Sequence, residues 1–394
     1  MISYDQALEL VLGFGDPLDV RQVALLDAQG RVLGEDLRSP FPLPRFDNSA
    51  VDGYALGFPL GDERWTVVRT IAAGEGSGPE LRPGECARIF TGAPIPSKCI
   101  AIVMQEDVEV CEMTICVQGG IKPGQNIRRE GEELEANAIA LHCGTLIQAA
   151  GIGVAATLGL ATLPIHPAPQ VGILVTGTEL ASPGSSLCEG QIYESNSVML
   201  SAALREMDVT AEFTEIIGDD PVKTEDSLRT ALQRCDVLIT TGGVSVGERD
   251  VVKTALERLG VEQVFWKAAI KPGKPVYMGR LKSRTIFGLP GNPLSVLTMF
   301  TMLVKPFLRS VMGFPAPAPA RISATLASTV QHKLGRREFM PGLLTQDSEG
   351  PTISPISGQG SHMLCGMARA NAFLDIPSDV AELQQGQLVS AVLL

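Results

Sequence analysis

Three segments of the sequence place glycine and small polar residues directly after an apolar run. They are residues 176–179 (TGTE), 240–247 (TTGGVSVG) and 288–293 (GLPGNP). Each apolar run is typical of a buried strand, and the last two segments lead straight into predicted helices. Because helix N-termini offer free N–H groups and partial positive charge, the three segments predict an anion-binding edge of a sheet.

A basic segment stands out against an acidic chain. Residues 266–284 (WKAAIKPGKPVYMGRLKSR) carry six basic residues and no acid, whereas the whole protein has a formal net charge of −12. Lys271 and Lys274 lie in IKPGKP, where two prolines and a glycine limit the backbone. A pair of surface lysines is usually only solvated. Here the restricted backbone favours the interpretation that the two ammonium groups converge on one oxyanion.

Acidic residues fall at the predicted strand-to-helix junctions of the same edge. Asp220 also suits a helix N-cap, and Glu248 suits the first turn of a helix. Carboxylates beside an anion repel it unless a divalent cation lies between them, and Mg²⁺ is the usual ion. The sequence therefore predicts a magnesium site among the junction acids, which are Glu179, Asp219, Asp220, Glu248 and Asp250.

Composition excludes several classes of function. The acidic charge and the 5% aromatic content argue against a nucleic-acid partner. Neither G-x-G-x-x-G nor a Walker loop is present, which makes a nicotinamide enzyme the weaker alternative. Scattered cysteines, isolated histidines, no secretion signal and no long apolar run favour a cytoplasmic protein with no zinc site and no membrane span.

The pattern of elements predicts several domains. Alternating strands and helices from Gln170 onward indicate a parallel α/β sheet with helices on both faces. Short β-rich runs between Trp65 and Val117 indicate a small β domain inserted into a helical N-terminal one. A Pro-Ala linker at residues 314–320 precedes a second small β domain.

Six motifs, in order along the chain, resemble those of the molybdopterin molybdenumtransferases, the bacterial MoeA and gephyrin E-domain family. The resemblance covers essentially the whole chain, and the set of six is specific where one would be weak. The motifs are DNSAVDGYA (47–55), FTGAPIP (90–96), NIRREGEEL (126–134), TTGGVSVGERD (240–250), AIKPGKP (269–275) and GLPGNPLS (288–295).

The resemblance implies a multidomain α/β fold with four parts. These are a helical N-terminal domain (1–45 and 136–166), an inserted β domain (46–135), a molybdopterin-binding-like parallel α/β domain (167–313) and a C-terminal β-barrel-like domain (314–394). It also implies a homodimer whose cleft lies between the α/β domain of one subunit and the inserted domain of the other. The implied reaction is Mg²⁺-dependent: molybdate and adenylylated molybdopterin are the substrates, AMP is released and molybdenum is placed on the dithiolene. The upstream molybdopterin adenylyltransferase is a candidate partner.

The resemblance also assigns roles to individual residues. The functional acids fall on Asp52, Glu133, Glu179, Asp219 and Asp250, of which the last three are the expected metal ligands. The resemblance also implies substrate-binding residues in five places. They are a threonine of the inserted domain (Thr91), the glycine-rich loop (Thr241, Gly242, Gly243, Ser245 and Gly247), two lysines associated with molybdate (Lys271 and Lys274), two prolines next to the pterin (Pro290 and Pro293), and two residues of the C-terminal domain that complete the oxyanion pocket (Arg336 and Ser361).

Three positions depart from the family pattern. Many relatives carry aspartate at Glu133, a basic residue at Glu130 and arginine at Pro341. These departures keep two alternatives open: a non-catalytic molybdopterin-binding or scaffolding paralogue, and an insertase that prefers tungstate.

Overall fold

The computed structural model describes residues 1–61, 63–218, 220–243, 251–356 and 364–394. The chain forms two compact units. The main unit contains Met1–Gly34, Leu146–Gln148 and Thr162–Leu394, and the inserted unit contains Glu35–Thr145 and Ala149–Ala161.

Helices occur in both units. In chain order they are α1 (Tyr4–Gly13), α2 (Ala149–Thr157), α3 (Asn196–Arg205), α4 (Pro221–Arg234), α5 (Val251–Arg258), α6 (Pro293–Met299), α7 (Lys305–Val311) and α8 (Leu364–Met367), with 3₁₀ turns at Leu25–Ala28 and Gln105–Asp107 and a π-helical segment at Phe300–Val304.

Strands are short and numerous. In chain order they are β1 (Arg21–Ala24), β2 (Val32–Leu33), β3 (Leu37–Arg38), β4 (Asn48–Ser49), β5 (Gly53–Leu56), β6 (Arg64–Ile71), β7 (Glu85–Ile89), β8 (Ala101–Met104), β9 (Val108–Cys111), β10 (Thr114–Val117), β11 (Ile127–Arg128), β12 (Ile139–Leu141), β13 (Thr162–His166), β14 (Val171–Thr176), β15 (Leu180–Ala181), β16 (Ile192–Tyr193), β17 (Ala211–Ile217), β18 (Val237–Thr241), β19 (Glu262–Trp266), β20 (Ile270–Lys271), β21 (Tyr277–Leu281), β22 (Arg284–Leu289), β23 (Arg321–Leu326), β24 (Val330–Gln331), β25 (Arg337–Asp347), β26 (Gly350–Pro355), β27 (Ala372–Ile376), β28 (Glu382–Leu383) and β29 (Leu388–Leu393).

The α/β sheet of the main unit has the strand order β17-β14-β18-β22-β21-β19. Its first four strands are parallel, as the sequence predicts, but β21 runs antiparallel to β22 and β19 antiparallel to β21. The four strands that the sequence predicts are therefore parallel as expected, and the antiparallel edge is formed by two strands that it does not predict. Only Lys282 and Ser283 connect β21 to β22, and a two-residue connection can join antiparallel strands but not parallel ones.

Helices cover both faces of this sheet, as predicted. Side chains of β14 alternate between two clusters, with Ile173 and Val175 in one and Leu174 in the other. The first cluster includes residues of α1, α3, α6 and α7, and the second includes residues of α4 and α5. This alternation is what a strand buried on both sides requires.

The apolar helix predicted after β22 is continuous but not uniform. It passes from α6 through the π-helical segment Phe300–Val304 into α7. Pro306 has no N–H and its ring would press on the carbonyl four residues earlier, so a wider turn in front of it relieves both problems. Pro293–Val311 is long and apolar enough to qualify as a membrane span by composition, yet 78% of that stretch is buried inside the protein.

Side-chain caps fix the starts of two helices, and the N-cap predicted at Asp220 is confirmed. Ser3 and Gln6 form a reciprocal capping box at α1. At α4, the Asp220 carboxylate accepts hydrogen bonds from the N–H groups of Val222 and Lys223, with Pro221 at the first helical position. Such a cap is worth about 1 kcal/mol, which explains Asp220 without any role in ligand binding.

The C-terminal strands close into a barrel. The order β20-β25-β26-β23-β29-β27 is completed by a pairing of β27 with β25, which joins the two ends of a five-stranded ring. β20 lies beside β25, where Lys271 is in register with Glu338. The barrel thus fixes the backbone of the IKPGKP segment.

The inserted unit has a six-stranded sheet of its own, with the order β8-β5-β7-β6-β10-β9. Its β-rich character is as predicted. Apolar side chains pack on both sides of this sheet, with Trp65 in one cluster and Ile71 in the other.

Candidate functional site

The carboxyl ends of β14, β18 and β22 are neighbours in the sheet. They border a cavity of about 390 Å³, called here the strand-end cavity. Each of the three glycine-rich segments contributes to it. Its lining includes Thr176, Glu179, Thr241, Gly242, Gly291, Asn292 and Pro293, together with Glu194 and Asn196 before and at the start of α3.

The first two glycines after β18 cannot be replaced without strain. Gly242 and Gly243 have φ angles of +82° and +62°, in the left-handed region. A Cβ on Gly242 would lie 2.6 Å from the Thr176 carbonyl oxygen, and one on Gly243 would lie 2.6 Å from a methyl of Val252. The N–H of Gly242 donates to the Leu289 carbonyl at 3.2 Å. Gly242 therefore ties two strand ends together and offers its Cα face, not its N–H, to the cavity.

Two residues that line the strand-end cavity carry buried polar atoms without partners. Asn196 is 8% exposed, and its amide donates to the Gly291 carbonyl at 2.7 Å. Among the described residues, nothing pairs with the Asn196 Oδ1 or the Thr241 Oγ1. A buried polar atom without a partner costs about 1–3 kcal/mol, so a ligand group that pairs with it gains that free energy back.

Glu194 is the buried carboxylate of this cavity. It is 2% exposed, and its two oxygens accept hydrogen bonds from the Ser197 N–H at 2.8 Å and the Ser197 hydroxyl at 2.5 Å. Neither Glu194 nor Asn196 was predicted from the sequence as a site residue. The signal that could have found them is the polar run YESN directly before an apolar helix.

A second cavity, of about 310 Å³, lies beside the IKPGKP segment and is called here the lysine cavity. Lys271, Lys274 and Arg336 line it, as does Glu338. Asn292 lies in the walls of both cavities. The further lining includes Pro290, Ser295, Phe339 and Pro341.

The cations of the lysine cavity differ in their partners. Lys271 Nζ lies 2.9 Å from Glu338 Oε2. Lys274 is exposed, and neither Lys274 nor Arg336 has an ion pair with any carboxylate of the described residues. Gly273, between the lysines, has a φ of +107° and packs against Met299, so the turn needs glycine. The cavity therefore has a net positive charge that its own residues do not neutralise.

Glu338 is buried behind this cavity, with its side chain 4% exposed. The fully buried ring of His332 places Nε2 3.5 Å from Glu338 Oε2. Neither residue was predicted from the sequence, in which the four histidines are far apart. Only the barrel brings His332 to Glu338.

Arg337 fixes the strand that carries Glu338. Its guanidinium donates two hydrogen bonds to Asp375, at 2.7 and 2.8 Å, and one to Asp5 at 2.8 Å. Burial acts to lower the pKa of Arg337, but Asp375 and Asp5 raise it above its ordinary value. Two consecutive residues of β25 thus have different partners: Arg337 binds Asp375 of the barrel, and Glu338 binds Lys271 of the lysine cavity.

The inserted unit holds a separate carboxylate motif. Asp52 Oδ1 accepts hydrogen bonds from the N–H of Thr91 at 2.8 Å and from its hydroxyl at 2.9 Å. These bonds, first the backbone one, lower the pKa of Asp52 below its ordinary value. Asp52 is exposed, and Gly53 must be glycine because a Cβ would meet the Val103 carbonyl at 2.0 Å. Two residues assigned from separate motifs therefore touch.

Asp47 organises the segment that contains Glu133. Its carboxylate accepts hydrogen bonds from the Glu130 N–H at 2.8 Å and the Arg129 guanidinium at 2.6 Å. Partial burial acts to raise the pKa of Asp47, but these bonds lower it. Glu133 itself is exposed, and its N–H donates to the Leu43 carbonyl at 3.0 Å.

Comparison with known proteins gives a consistent result along the chain. Residues 2–159 match the MoeA N-terminal region (domains I and II), residues 172–310 match a probable molybdopterin-binding domain, and residues 323–394 match the MoeA C-terminal region (domain IV). The chain is 40% identical to molybdopterin molybdenumtransferase 2 of Mycobacterium tuberculosis over 378 residues, which cover 92% of each chain. The chain belongs to the molybdopterin molybdenumtransferase family.

Other members of the family agree in sequence and in structure. A molybdopterin molybdenumtransferase of Haemophilus influenzae is 33% identical over 99% of this chain and 98% of its own. The crystal structure of a molybdopterin biosynthesis MoeA protein from Pyrococcus horikoshii superposes with a TM-score of 0.84 at 29% identity, and it covers all of both chains. The MoeA-like fold with a C-terminal barrel is thereby confirmed.

Several residues that the family resemblance selects lie outside the described residues. They are Asp219, Ser245, Gly247, Asp250 and Ser361, as well as Glu248. Of the expected metal ligands only Glu179 is described; it is exposed and lines the strand-end cavity. Within the described part of the chain no group of three His, Cys, Asp or Glu residues is placed to hold a metal ion. The magnesium site therefore stays a prediction.

Proposed function

We propose that this protein transfers molybdenum from molybdate to the dithiolene of adenylylated molybdopterin and releases AMP. The observation that carries the proposal is the pair of cavities whose walls share Asn292. One is bordered by glycines and holds the carboxylates of Glu179 and Glu194, and the other is cationic. A substrate with an uncharged heterocycle and anionic groups, used together with an oxyanion, needs both kinds of surface.

The lysine cavity suits the oxyanion. A tetrahedral dianion gains charge-assisted hydrogen bonds from ammonium and guanidinium donors, and each such bond is about twice as strong as a neutral one. Lys274 and Arg336 are free of ion pairs with described carboxylates, so binding does not first have to break one. Lys271 is held in place by Glu338 at 2.9 Å.

The strand-end cavity suits the pterin. Its volume of about 390 Å³ lies within the range of about 300–1,000 Å³ usual for small-molecule sites. The unpaired Asn196 Oδ1 accepts a hydrogen bond, and the Thr241 hydroxyl can donate or accept one. An amide-like heterocycle offers matching groups along its edge. Pro293 and Gly291 border the same space, and Pro290 borders the lysine cavity.

Magnesium is the proposed cofactor, and carboxylate oxygen is the donor that it prefers. Glu179 supplies one such group at the cavity, and Asp219 and Asp250 would complete the ligand set. When bound, the ion offsets the negative charge of the pyrophosphate link. The expectation is that Asp250→Ala keeps the fold and pterin binding but loses metal insertion; normal insertion by this variant would refute the role of Asp250.

The inserted unit is proposed to act in the same reaction through a homodimer in the cytoplasm. Asp52 and Thr91 are hydrogen-bonded to each other, and Asp52 is exposed. The lowered pKa of Asp52 keeps its carboxylate ionised. Glu133 is the further proposed acid of this unit. A matched pair of single-site variants, one in each unit, that regain activity when mixed would support a shared cleft.

The test of the activity uses the purified chain with adenylylated molybdopterin, molybdate and Mg²⁺. AMP is measured by chromatography, and molybdenum in the released cofactor is measured by mass spectrometry. AMP and molybdenum are expected to appear together. Binding of adenylylated molybdopterin without AMP release would instead identify a scaffolding paralogue.

The lysine cavity suits either of two tetrahedral dianions, molybdate and tungstate. Pro341 lines it at a position where the family resemblance leads us to expect arginine. Tungstate is the second candidate substrate. Competition between molybdate and tungstate in the AMP assay decides between them.

A further inference from the structure

Behind Lys271 lies a buried pair of ionisable side chains that oxyanion binding does not itself require. Glu338 Oε2 contacts Lys271 Nζ at 2.9 Å and His332 Nε2 at 3.5 Å, so one oxygen faces both groups. The Glu338 side chain is 4% exposed and the His332 side chain is fully buried. Lys271 is 40% exposed and is the only one of the three that reaches solvent substantially.

The tautomer of His332 follows from its other nitrogen. Nδ1 lies 2.7 Å from the Val380 carbonyl oxygen, which can only accept, so Nδ1 carries a hydrogen. In the neutral ring Nε2 is then a bare acceptor that faces a carboxylate oxygen. Within the described residues the Nε2 atom has no hydrogen-bond partner. A proton on Nε2 converts this unfavourable contact into an ion pair with Glu338.

That proton changes the charge behind the lysine cavity. When His332 is neutral, the Glu338 carboxylate offsets the Lys271 ammonium. When His332 is protonated, the three groups together carry one net positive charge. Because the pair is shielded from water, the added charge acts on the cavity with little screening.

The other charged groups around His332 are exposed, except Arg336, which is half-buried. Lys333 follows it in the chain, Asp379 precedes Val380, and Glu382 on β28 faces Gln331 of β24. Arg336 lies on the cavity side. Among the described residues Glu338 is the carboxylate within ion-pair distance of the ring. Solvent screens the remaining charges, and Glu338 dominates.

We propose that His332 is a positioning residue that acts through Glu338 to set the charge Lys271 presents to the oxyanion, so that protonation of His332 strengthens oxyanion binding. This inference rests on the proposed oxyanion role of the lysine cavity. By thermodynamic linkage, oxyanion binding must then be accompanied by proton uptake where His332 is neutral in the free protein.

The experiment is calorimetric titration of the full chain with molybdate between about pH 6 and about pH 8, the range in which histidine changes charge. Each titration is repeated in two buffers of different ionisation enthalpy to count protons. For the wild type the affinity is expected to fall about fivefold across this range, with net proton uptake near its upper end.

His332→Gln is the test variant because glutamine keeps a buried amide that can donate to Val380. It is expected to bind molybdate with an affinity that varies less than about twofold over the same range, without proton uptake. His142→Gln is the matched control, since the His142 side chain is 76% exposed and lies in the inserted unit. This control should behave like the wild type.

The outcomes separate the two proposals. No molybdate binding by the wild type at any pH would refute the oxyanion role of the cavity. Binding whose pH dependence and proton uptake are the same in the wild type and His332→Gln would overturn the role of His332 alone.

Should His332→Gln fail to fold, the wild type still decides the matter. The chain has four histidines, so ring ¹⁵N resonances can be assigned with few variants. On addition of molybdate near neutral pH, the ring ¹⁵N shifts of His332 are expected to move toward those of a protonated imidazole. Unchanged His332 resonances would overturn the inference.

Discussion

The two cavities that share Asn292 differ in how they treat charge. The strand-end cavity is shaped by Gly242 and Gly243 and offers the uncharged atoms of Asn196 and Thr241. The lysine cavity offers cations, of which one is held by a buried carboxylate. Glycine-bordered shape and two carboxylates therefore characterise the first cavity, and unneutralised cations characterise the second. Oxyanion binding to the second cavity should weaken as the salt concentration rises.

The largest expected effect comes from the backbone of the strand-end cavity. Gly242→Ala adds a Cβ 2.6 Å from the Thr176 carbonyl at a φ of +82°. It should lower the free energy of unfolding by about 3 kcal/mol, at low and high salt alike. Urea denaturation measures this loss.

Gly184→Ala is the matched control for that prediction. Gly184 also has a positive φ, of +88°, but no atom lies within 4 Å of its added Cβ. It should cost only about 1 kcal/mol. Equal costs for the two variants would show that close packing at Gly242 contributes nothing.

The next effect concerns the lysine cavity. Lys274→Ala removes an exposed ammonium that has no ion pair with the described carboxylates, so the free energy of unfolding should stay unchanged. Its affinity for molybdate should fall about tenfold or more at low salt, and less at high salt. Calorimetric titration with molybdate at a low and a high salt concentration measures the two affinities. Lys223→Ala, an exposed lysine of α4, is the control, and an equal loss in that variant would point to general charge instead of the cavity.

A smaller and opposite effect is expected at Thr241. Thr241→Val removes a buried hydroxyl that has no partner among the described residues, so stability should rise by up to about 1 kcal/mol. Binding of adenylylated molybdopterin should weaken about fivefold.

Thr240→Val is the control for Thr241. Its hydroxyl is also buried and unpaired among the described residues, but Thr240 does not line the strand-end cavity. Stability should rise as in Thr241→Val, while binding stays unchanged. Equal binding losses in both variants would mean that the hydroxyl of Thr241 does not contact the ligand.

The smallest effect concerns the carboxylate of the inserted unit. The lowered pKa of Asp52 means that its bonds to Thr91 stabilise the unit above the ordinary aspartate pKa of 3.8 and are lost as pH falls through the lower folded value. Asp52→Asn should therefore lower the melting temperature slightly at neutral pH and not at strongly acidic pH.

Fluorescence of Trp65, buried in the inserted unit, reports this melting once Trp266 is replaced by phenylalanine. Asp107→Asn is the control. Among the described residues, the backbone carbonyl of Asp107 accepts a hydrogen bond from the Gln118 N–H, but its carboxylate accepts none. A difference between Asp52→Asn and the wild type that persists at acidic pH would contradict the ionised role of Asp52.

Local patterns were enough to predict most elements and much of the proposed site. The capping box at Ser3, the N-cap at Asp220 and the three glycine-rich strand ends all depend on residues close together in the chain. The antiparallel edge strands β19 and β21 were missed because charged and turn-forming residues interrupt the apolar pattern between Glu262 and Leu281.

The sequence by itself determined which residues could hold an anion, because the glycine turns, the prolines around the lysines and the basic cluster each consist of residues that are close together in the chain. Only the tertiary structure decided which of them meet and what stands behind them. Glu338 and His332 approach Lys271 because the barrel sets β25 beside β20, and Asn196 reaches Gly291 across about a hundred residues of chain. Contacts between distant segments carry no periodic signal, and burial, which makes such contacts strong, exists only once the chain has folded.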